Sequence, residues 1–420
     1  MARASKNSAR LVIIVTGANA GVGFGLCHRL LVQLSQVNPP DSRPQLAQST
    51  PYSKVNGHVF ANSPSPPGLT LILACRDKTR AENARAALYG LLDTHIAQIP
   101  RPSEANAYAS EFRRNLLLQI HRVDLGNTQS ILQFGREISE KYPYISHLIC
   151  NAGVSTYSHI NYIIFARQCF ESLLKAVLHP TYNVQKVGVI SGDNLGFVWQ
   201  CNVFGHYVMF RQLQPLLAKY KIVSECSSPA RILWMSSVDA LPLYDPTDDW
   251  QLTKTNTSYQ ASKSQIDLMT MALAQSRKVE CNEHEATIEH LLVTPGITPT
   301  NIAAELLQSY ILELFRLLFF YICRLIGSPH ILFSTYKAAV AASHAVLAPL
   351  SCLPHFVHDE GAVAFPKFSA QTDRWGNESV GIVPVHQWQE HPDEGSHLIE
   401  QCERLYQTFL KAEIREHRES

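Results

Sequence analysis

Short runs of apolar residues alternate along the first 300 residues with longer segments in which apolar positions recur at helical spacing. The apolar runs are LVIIVTG, LTLILACR, LLLQIHRVDL, HLICNAG, RILWMSS and IEHLLVTPG. Strands that alternate with helices in this way form a parallel sheet, because each helix returns the chain across one face of the sheet. Such crossovers are right-handed. The pattern therefore predicts an α/β fold with a doubly wound parallel sheet and helices on both faces.

Two segments interrupt the alternation and predict insertions. Residues 38–68 contain many prolines together with serine and asparagine, which is typical of a surface excursion between a helix and a strand. Residues 155–195 follow the fourth apolar run and predict a second, more structured insertion. We expect one enlarged domain over residues 1–420, with a dinucleotide-binding and catalytic core at 10–300.

A third segment, residues 301–330, is strongly apolar. On a helical projection its charged side chains form one narrow stripe, made of Glu305, Glu313, Arg316 and Arg324. A helix with so broad an apolar arc either lies in a membrane interface, or is buried with only its stripe in solvent, or forms an oligomer interface. The charges argue against a helix that spans the membrane. Residues 331–420 are expected to hold a helix at 334–348 and a tail that ends in a charged, solvated helix at about 398–417.

Composition excludes some classes of protein. Apolar residues make up 46% of the chain, which is enough for a large core, and charged residues make up 17%. Lysine and arginine number 36 against 35 acidic residues, so a net charge of +1 provides no broad field to attract nucleic acid. The ten cysteines are scattered without metal-ligand spacing. We therefore expect no nucleic-acid partner and no metal site.

A glycine-rich turn follows the first apolar run and opens a helix. Its candidate cofactor-binding residues are Thr16, Gly17, Asn19, Gly21, Val22 and Gly23. Small residues let the backbone approach a pyrophosphate, and the helix N-terminus favours its negative charge. The turn predicts a dinucleotide site in a Rossmann-like sheet; the alternative is an ordinary tight strand-to-helix turn.

The second apolar run ends in Cys75 and Arg76, where an NAD-binding enzyme would place a carboxylate for the ribose hydroxyls. A guanidinium suits a 2′-phosphate, because it can make bidentate contacts with phosphate oxygens. This position predicts NADPH as cofactor. The alternative is that Arg76 pairs with Asp77 or Glu82 on the surface.

A tyrosine and a lysine at helical spacing are the candidate acid–base pair. Lys263 follows Tyr259 by one helical turn, so its ammonium can lie near the phenol and lower the phenol's pKa. Ser237 ends an apolar run and can hydrogen-bond a substrate carbonyl, with Ser236 as the alternative hydroxyl. Asn202 lies in a helical pattern and is a candidate to hold a water on a proton path.

The order of these motifs identifies a family. TGANAGVG, CNAG, Asn202, Ser237, YQASK and PGITPT follow one another as they do in the short-chain dehydrogenases/reductases, which residues 10–300 resemble. The resemblance implies that Tyr259 donates a proton in reduction and that Lys263 holds the nicotinamide ribose. It also implies that Ser237 orients the carbonyl and that Asn202 completes a tetrad.

The same resemblance implies further cofactor contacts. Asp124 would contact the adenine, and Asn151 would stabilise the sheet beside the cofactor. Ile297 and Thr300, both in PGITPT, would contact the nicotinamide carboxamide and the phosphates. Three glycines would line the pyrophosphate: Gly17, Gly21 and Gly23.

Further matches, including GFGLCHRLL and NVFGHYVMFRQL, resemble the fungal branch of the family that reduces the C3 ketone of sterols in ergosterol synthesis. This resemblance implies a sterol ketone as substrate, and a place on the cytosolic face of the endoplasmic reticulum membrane or on lipid droplets. It also implies association with the sterol C4-demethylation enzymes and a possible homodimer. The alternatives are a reductase of another lipophilic carbonyl (retinal, a fatty ketone or a xenobiotic) and a non-catalytic, nucleotide-sensing scaffold in a membrane complex.

Overall fold

A computed structural model of the chain describes residues 10–45, 66–224, 228–280, 288–299, 310–359, 362–385 and 393–419. Its strands, β1 to β11 in chain order, are Leu11–Thr16, Leu69–Cys75, Leu116–Arg122, His147–Cys150, Tyr157–Ile160, Asn183–Gln185, Arg231–Met235, Glu289–Thr294, Val357–Asp359, Ala362–Thr372 and Glu378–Val385. Its helices, α1 to α13, are Gly21–Leu34, Lys78–Ala97, Glu104–Arg114, Thr128–Lys141, Tyr162–Glu171, Leu173–Leu178, Phe197–Trp199, Gly205–Val223, Ser258–Glu280, Tyr310–Ile326, Thr335–Ala338, Val340–Leu347 and Glu394–Glu419.

The main sheet has the strand order β3-β2-β1-β4-β7-β8-β10-β11. All neighbours from β3 to β10 are parallel, whereas β11 and the short β9 pair antiparallel with β10. The helices pack in two groups, one around α1 and α2 and the other around α4, α8 and α9. The predicted doubly wound α/β fold is confirmed, and each predicted apolar run contains one strand of the sheet.

The central strands form the core because they are covered on both faces. Every residue of β1, β2, β7 and β8 is buried, and Ile13, Ile14 and Val15 are fully inaccessible. Strands buried on both faces are continuously apolar rather than alternating. The parallel arrangement brings the carboxyl ends of β1, β4, β7 and β8 to one edge of the sheet.

The C-terminal region differs from the sequence expectation. Two strands, β10 and β11, lie in what was expected to be a helix and tail, and residues 334–348 form two short helices instead of one. β10 contains Pro366 and Lys367, which are uncommon within a sheet, and this composition hides the strand from pattern analysis. The expected charged helix is α13, but it buries Leu398 and Cys402 against the second helix group rather than being fully solvated.

The two predicted insertions differ in how much of them is described. Residues 46–65 of the first lie outside the described residues. The second contains the two-stranded β5–β6 sheet and helices α5 and α6. Across the described ranges, every helix is too short or too polar to cross a bilayer.

Candidate active site

The turn between β1 and α1 lines a cavity of about 790 Å³ at the carboxyl edge of the sheet. Gly17 and Gly21 have φ values of +66° and +55°, in the left-handed region that favours glycine. A Cβ on Gly23 would lie 2.5 Å from the carbonyl oxygen of Gly17, so this glycine lets α1 pack closely on the turn. Ala20, at the N-cap, has no side chain to cap the helix, which leaves its positive end facing the cavity.

Thr16 and Asn151 join the turn to the end of β4. The Thr16 Oγ1 accepts hydrogen bonds from the backbone N–H groups of Asn151 and Ala152, each at 2.9 Å. The Asn151 side-chain amide donates to the Thr16 carbonyl at 2.8 Å. Thr16 is buried behind the turn, whereas Asn151 lines the cavity. Thr16 therefore supports the site from behind.

The exposed Arg76 lies at the rim of the cavity, near the glycine turn. Within the described ranges, neither of its expected surface partners pairs with it: Asp77 caps α2, and Glu82 forms an ion pair with Arg85. Arg80, in the first turn of α2, also lines the cavity and was not among the predicted residues. The available signal was its place at the start of the helix that directly follows Arg76. Both guanidiniums can therefore reach an anion in the cavity.

Of the remaining predicted cofactor residues, three line the cavity, one does not, and one lies outside the described residues. Asn19, Val22 and Ile297 line the cavity. Asp124 does not; its carboxylate accepts a hydrogen bond from the Gly126 N–H at 3.0 Å. Thr300 lies outside the described residues.

Ser237, Tyr259 and Lys263 meet in the same cavity. Tyr259 is in the first turn of α9, and the nearby Ser237 hydroxyl interacts with its phenol. The Lys263 Nζ lies 5.8 Å from the centre of the Tyr259 ring and donates to the Met235 carbonyl at 2.8 Å. The alternative hydroxyl, Ser236, also lines the cavity, but it donates to the Lys263 carbonyl at 3.5 Å. The geometry thus selects Ser237 as the partner of the phenol.

Burial sets the protonation state of this pair. It raises the pKa of Tyr259 to about 12, against the opposing effect of the nearby Ser237 hydroxyl. It lowers the pKa of Lys263 to about 8, although Asp267 opposes the shift. We expected Lys263 to lower the pKa of the phenol; burial prevails because the ammonium is directed to a backbone carbonyl. Tyr259 is therefore a neutral phenol near pH 7, the form that a proton donor requires.

Asn202 does not line the cavity. It lies in a π-helical turn at Gln200–Phe204 and is fully buried. Its Oδ1 accepts from the Val154 N–H at 2.8 Å, and its Nδ2 donates to the Val154 carbonyl and the Ser262 hydroxyl, each at 3.0 Å. The side chain therefore holds the segment after β4 against α9, and its polar atoms are occupied by protein rather than directed to a water path.

The second insertion anchors the catalytic helix, which sequence analysis did not anticipate. Gln185, at the end of β6, accepts hydrogen bonds from the Ser258 hydroxyl and the Tyr259 N–H at 3.1 and 2.9 Å. Its amide donates to Gln260, which in turn donates to the Asp239 carboxylate at 3.0 Å. Glutamine in an insertion carries no pattern that would mark it as a helix cap, so no sequence signal was available.

Apolar side chains line the end of the cavity beyond Tyr259. They come from the second insertion and from α10 and include Tyr157, Phe165, Val177, Leu312, Phe315 and Phe319. Phe165 and Phe319 meet edge to face, with ring centres 5.6 Å apart, which joins α5 to α10. The cavity therefore combines a polar region at the glycine turn with a mostly apolar region at the second insertion and α10, where Arg316 is the charged exception.

No family model matches the chain. Over 219 residues it is 35% identical to the 3-keto-steroid reductase ERG27 of Saccharomyces cerevisiae, an alignment that covers 52% of this chain and 59% of that protein. It is 34% identical over 337 residues to the 3-keto-steroid reductase ERG27 of Candida albicans, covering 80% of this chain and 81% of that protein.

Among solved structures, the NADP active-site complex of Pseudomonas aeruginosa RhlG is similar with a TM-score of 0.48 and 14% identity, covering 83% of this chain and 94% of that one. The relationship to the curated proteins is much stronger, since it combines over 30% identity with four-fifths of both chains. The chain belongs to the 3-keto-steroid reductase family.

Proposed function

We propose that the chain reduces the C3 ketone of a sterol intermediate to the 3β-alcohol in ergosterol synthesis, with NADPH as reductant. The observation that carries the proposal is one cavity lined by Ser237, Tyr259 and Lys263 together with the glycine turn and with apolar side chains of the second insertion and α10. The relatives' name, 3-keto-steroid reductase, supports the substrate class. An apolar end suits a steroid skeleton, which offers few polar groups to recognise.

The residues at the polar end fit a dinucleotide phosphate. Gly17 and Gly21 line the cavity with backbone that approaches without a side chain, and Arg76 and Arg80 supply two cations at the rim. NADPH would be held by these residues, with the 2′-phosphate at the arginines, and when bound it supplies the hydride for the carbonyl carbon.

The chain's own groups handle the proton. Ser237 donates a hydrogen bond to the substrate carbonyl and orients it beside the phenol. Tyr259, neutral at pH 7, delivers its proton to the carbonyl oxygen as negative charge develops there. Lys263 stabilises the phenolate that remains, because an ammonium nearby favours the charged form.

The decisive experiment is consumption of NADPH by the purified protein on addition of a 3-ketosterol, with retinal and a simple ketone as parallel substrates. We expect turnover with the sterol to exceed that with either control. Faster turnover with retinal would favour another lipophilic carbonyl. Binding of NADPH without turnover of any ketone would favour the nucleotide-sensing scaffold, although the presence of Ser237, Tyr259 and Lys263 in one cavity argues against it.

Cofactor preference is testable at Arg76. We expect Arg76→Ala to weaken NADPH binding about tenfold or more, because it removes a charge-assisted contact with the 2′-phosphate. NADH, which lacks that phosphate, should be affected little. Arg85→Ala is the matched control, since Arg85 lies on α2, the helix that follows Arg76, but pairs with Glu82 and does not line the cavity. Equal losses for NADPH and NADH would contradict the assignment.

We also propose that α10 docks the protein on a membrane. The two arginines of its charged stripe are turned inward: Arg316 lines the cavity, and Arg324 lies over the Phe333 ring at 4.7 Å, whereas Glu305 lies outside the described residues. Its apolar arc is turned outward, with Leu314 and Leu318 exposed by 59% and 53%. This is the reverse of a buried helix whose stripe alone reaches solvent, and it favours contact with lipid.

Substitution of the outward arc tests the docking. Leu314→Glu together with Leu318→Glu should reduce co-flotation with vesicles of phosphatidylcholine and anionic lipid, because two charges would enter the apolar interface. Neither side chain lines the cavity, so reduction of a detergent-solubilised ketosteroid should persist. Ile222→Glu, at a residue on α8 that is exposed by 70%, is the control. Undiminished flotation of the double variant would oppose docking through α10.

The location and partners belong to the same proposal. Docking would hold the protein on the cytosolic face of the endoplasmic reticulum membrane or on lipid droplets, where a sterol ketone partitions. There it would meet the sterol C4-demethylation enzymes, with or without forming a homodimer. Proximity labelling from the tagged full chain should recover those enzymes, and their absence from the labelled set would count against the association.

A further inference from the structure

A buried ion pair lies next to the catalytic cluster. Lys367, on β10, and Asp267, on α9, are joined by a contact of 2.5 Å between Nζ and Oδ2. Their side chains are only 5% and 2% exposed. Neither lines the cavity. A buried ion pair contributes little net stability compared with apolar residues of similar volume, so its presence calls for another explanation.

The lysine of this pair holds the residues that follow β7. Its Nζ donates to the Ser237 carbonyl at 3.1 Å and lies 3.5 Å from the Ser236 hydroxyl. The Nζ of Lys263, on α9, donates to the Met235 carbonyl at 2.8 Å. Two ammonium groups therefore fix carbonyls two residues apart, on either side of Ser236. The Ser237 hydroxyl, which contacts the phenol, is carried by this fixed segment.

Asp267 balances the two cations. It follows Lys263 by one turn of α9, and its carboxylate interacts with Lys263 as well as with Lys367. The Ser236 hydroxyl also stabilises the carboxylate. Without this anion, two ammonium groups would share a buried region, which is costly. The carboxylate thus allows both lysines to remain charged beside the same strand end.

We propose that Lys367 and Asp267 are a positioning pair that fixes the Ser237 backbone, and hence its hydroxyl, for binding the substrate carbonyl. The inference rests on the proposed function, because it assigns the pair a role in ketone reduction. Neither residue touches the reacting atoms; both act through Ser237. A displacement of about 1 Å in a catalytic group can lower a rate about 100-fold, so a clamp of this kind has a measurable effect.

The test compares wild type with Lys367→Met and with the double variant Asp267→Asn/Lys367→Met. The double variant removes both charges and so avoids a lone buried carboxylate. We expect kcat for the ketone to fall about 10- to 100-fold, while the Kd for NADPH, measured by fluorescence, stays near the wild-type value. The isotope effect on kcat with NADPH deuterated at the transferred position should rise as the chemical step becomes limiting. Lys337→Met, which removes a positive charge from α11 outside the cavity, should retain most of the activity.

A second readout does not depend on turnover. A crystal structure of the double variant should show the Ser237 hydroxyl displaced from the Tyr259 phenol. A folded double variant with wild-type kcat and an unmoved Ser237 would overturn the proposal, as would a loss of NADPH affinity that parallels the loss of kcat. Wild type that reduces no ketosteroid would count against the proposed function alone, and the position of Ser237 in the double variant would still decide the role of the pair.

Discussion

Replacement of Tyr259 by phenylalanine is expected to lower kcat for ketone reduction by about 10²- to 10⁴-fold, the usual contribution of a positioned general acid. The change removes the hydroxyl that donates the proton and keeps the ring, which packs near the Tyr157 ring at 6.3 Å between centres. Ser237 cannot replace the phenol, because an aliphatic hydroxyl is a much weaker acid. NADPH affinity should persist, since the glycine turn and the arginines are unchanged. Stopped-flow reduction and cofactor binding measured on the same preparation would separate the two effects.

Tyr157→Phe is the matched control for that variant. Tyr157 lines the same cavity and is also buried, and burial raises its pKa well above the usual range of a phenol. Its hydroxyl has no contact with Ser237 in the described site, so its loss should change kcat only slightly. Near-normal turnover by the Tyr259 variant, or an equal loss in the Tyr157 variant, would remove Tyr259 from the role of proton donor.

Replacement of Lys263 by methionine should lower kcat/KM by about 100-fold, weaken cofactor binding and change the pH profile. Burial lowers the pKa of Lys263 to about 8, so its ammonium is present below that pH and is lost as pH rises through it. The phenol keeps its proton to a pKa of about 12. Wild-type kcat/KM should therefore decline above about pH 8, and this decline should be absent from the methionine variant. Rates measured from pH 6 to pH 10 provide the comparison.

Lys337→Met controls for the loss of a positive charge elsewhere. Lys337 lies in α11, pairs with Glu378 at 3.2 Å and does not line the cavity. The Lys337→Met variant should have a rate and a pH profile near those of wild type. If the Lys263 variant kept the alkaline decline, another group would be responsible for it.

Much of the fold and of the polar end of the site could be predicted from the sequence because the signals are local. A strand covered on both faces is mostly apolar, and the apolar runs marked β1, β2, β7 and β8 directly, although β7 and β8 begin with buried polar residues. The glycine turn requires backbone conformations that only small residues adopt readily, as Gly17 and Gly21 show. Tyr259 and Lys263 share one face of a helix because they are one turn apart.

The roles of other residues depend on partners far away in the chain. Gln185 caps the catalytic helix from an insertion more than 70 residues earlier, and Lys367 reaches Ser237 from a strand 130 residues later. Asn202 was expected on a water path, but packing uses its whole amide to hold Val154 and Ser262. Lys367 hid strand β10 in the sequence, because a lysine is rarely buried in a sheet unless a partner offsets its charge. That partner, Asp267, is known only from the structure.

The sequence by itself determined the class of fold, the phosphate-binding turn and the spacing of phenol and ammonium, since each depends on neighbours within a few residues. Only the tertiary structure decided which hydroxyl meets Tyr259, which way α10 turns its apolar arc, and how Asp267 and Lys367 come together. These features arise from contacts between elements distant in the chain, whose energies depend on burial and on distances that no local pattern of residues encodes.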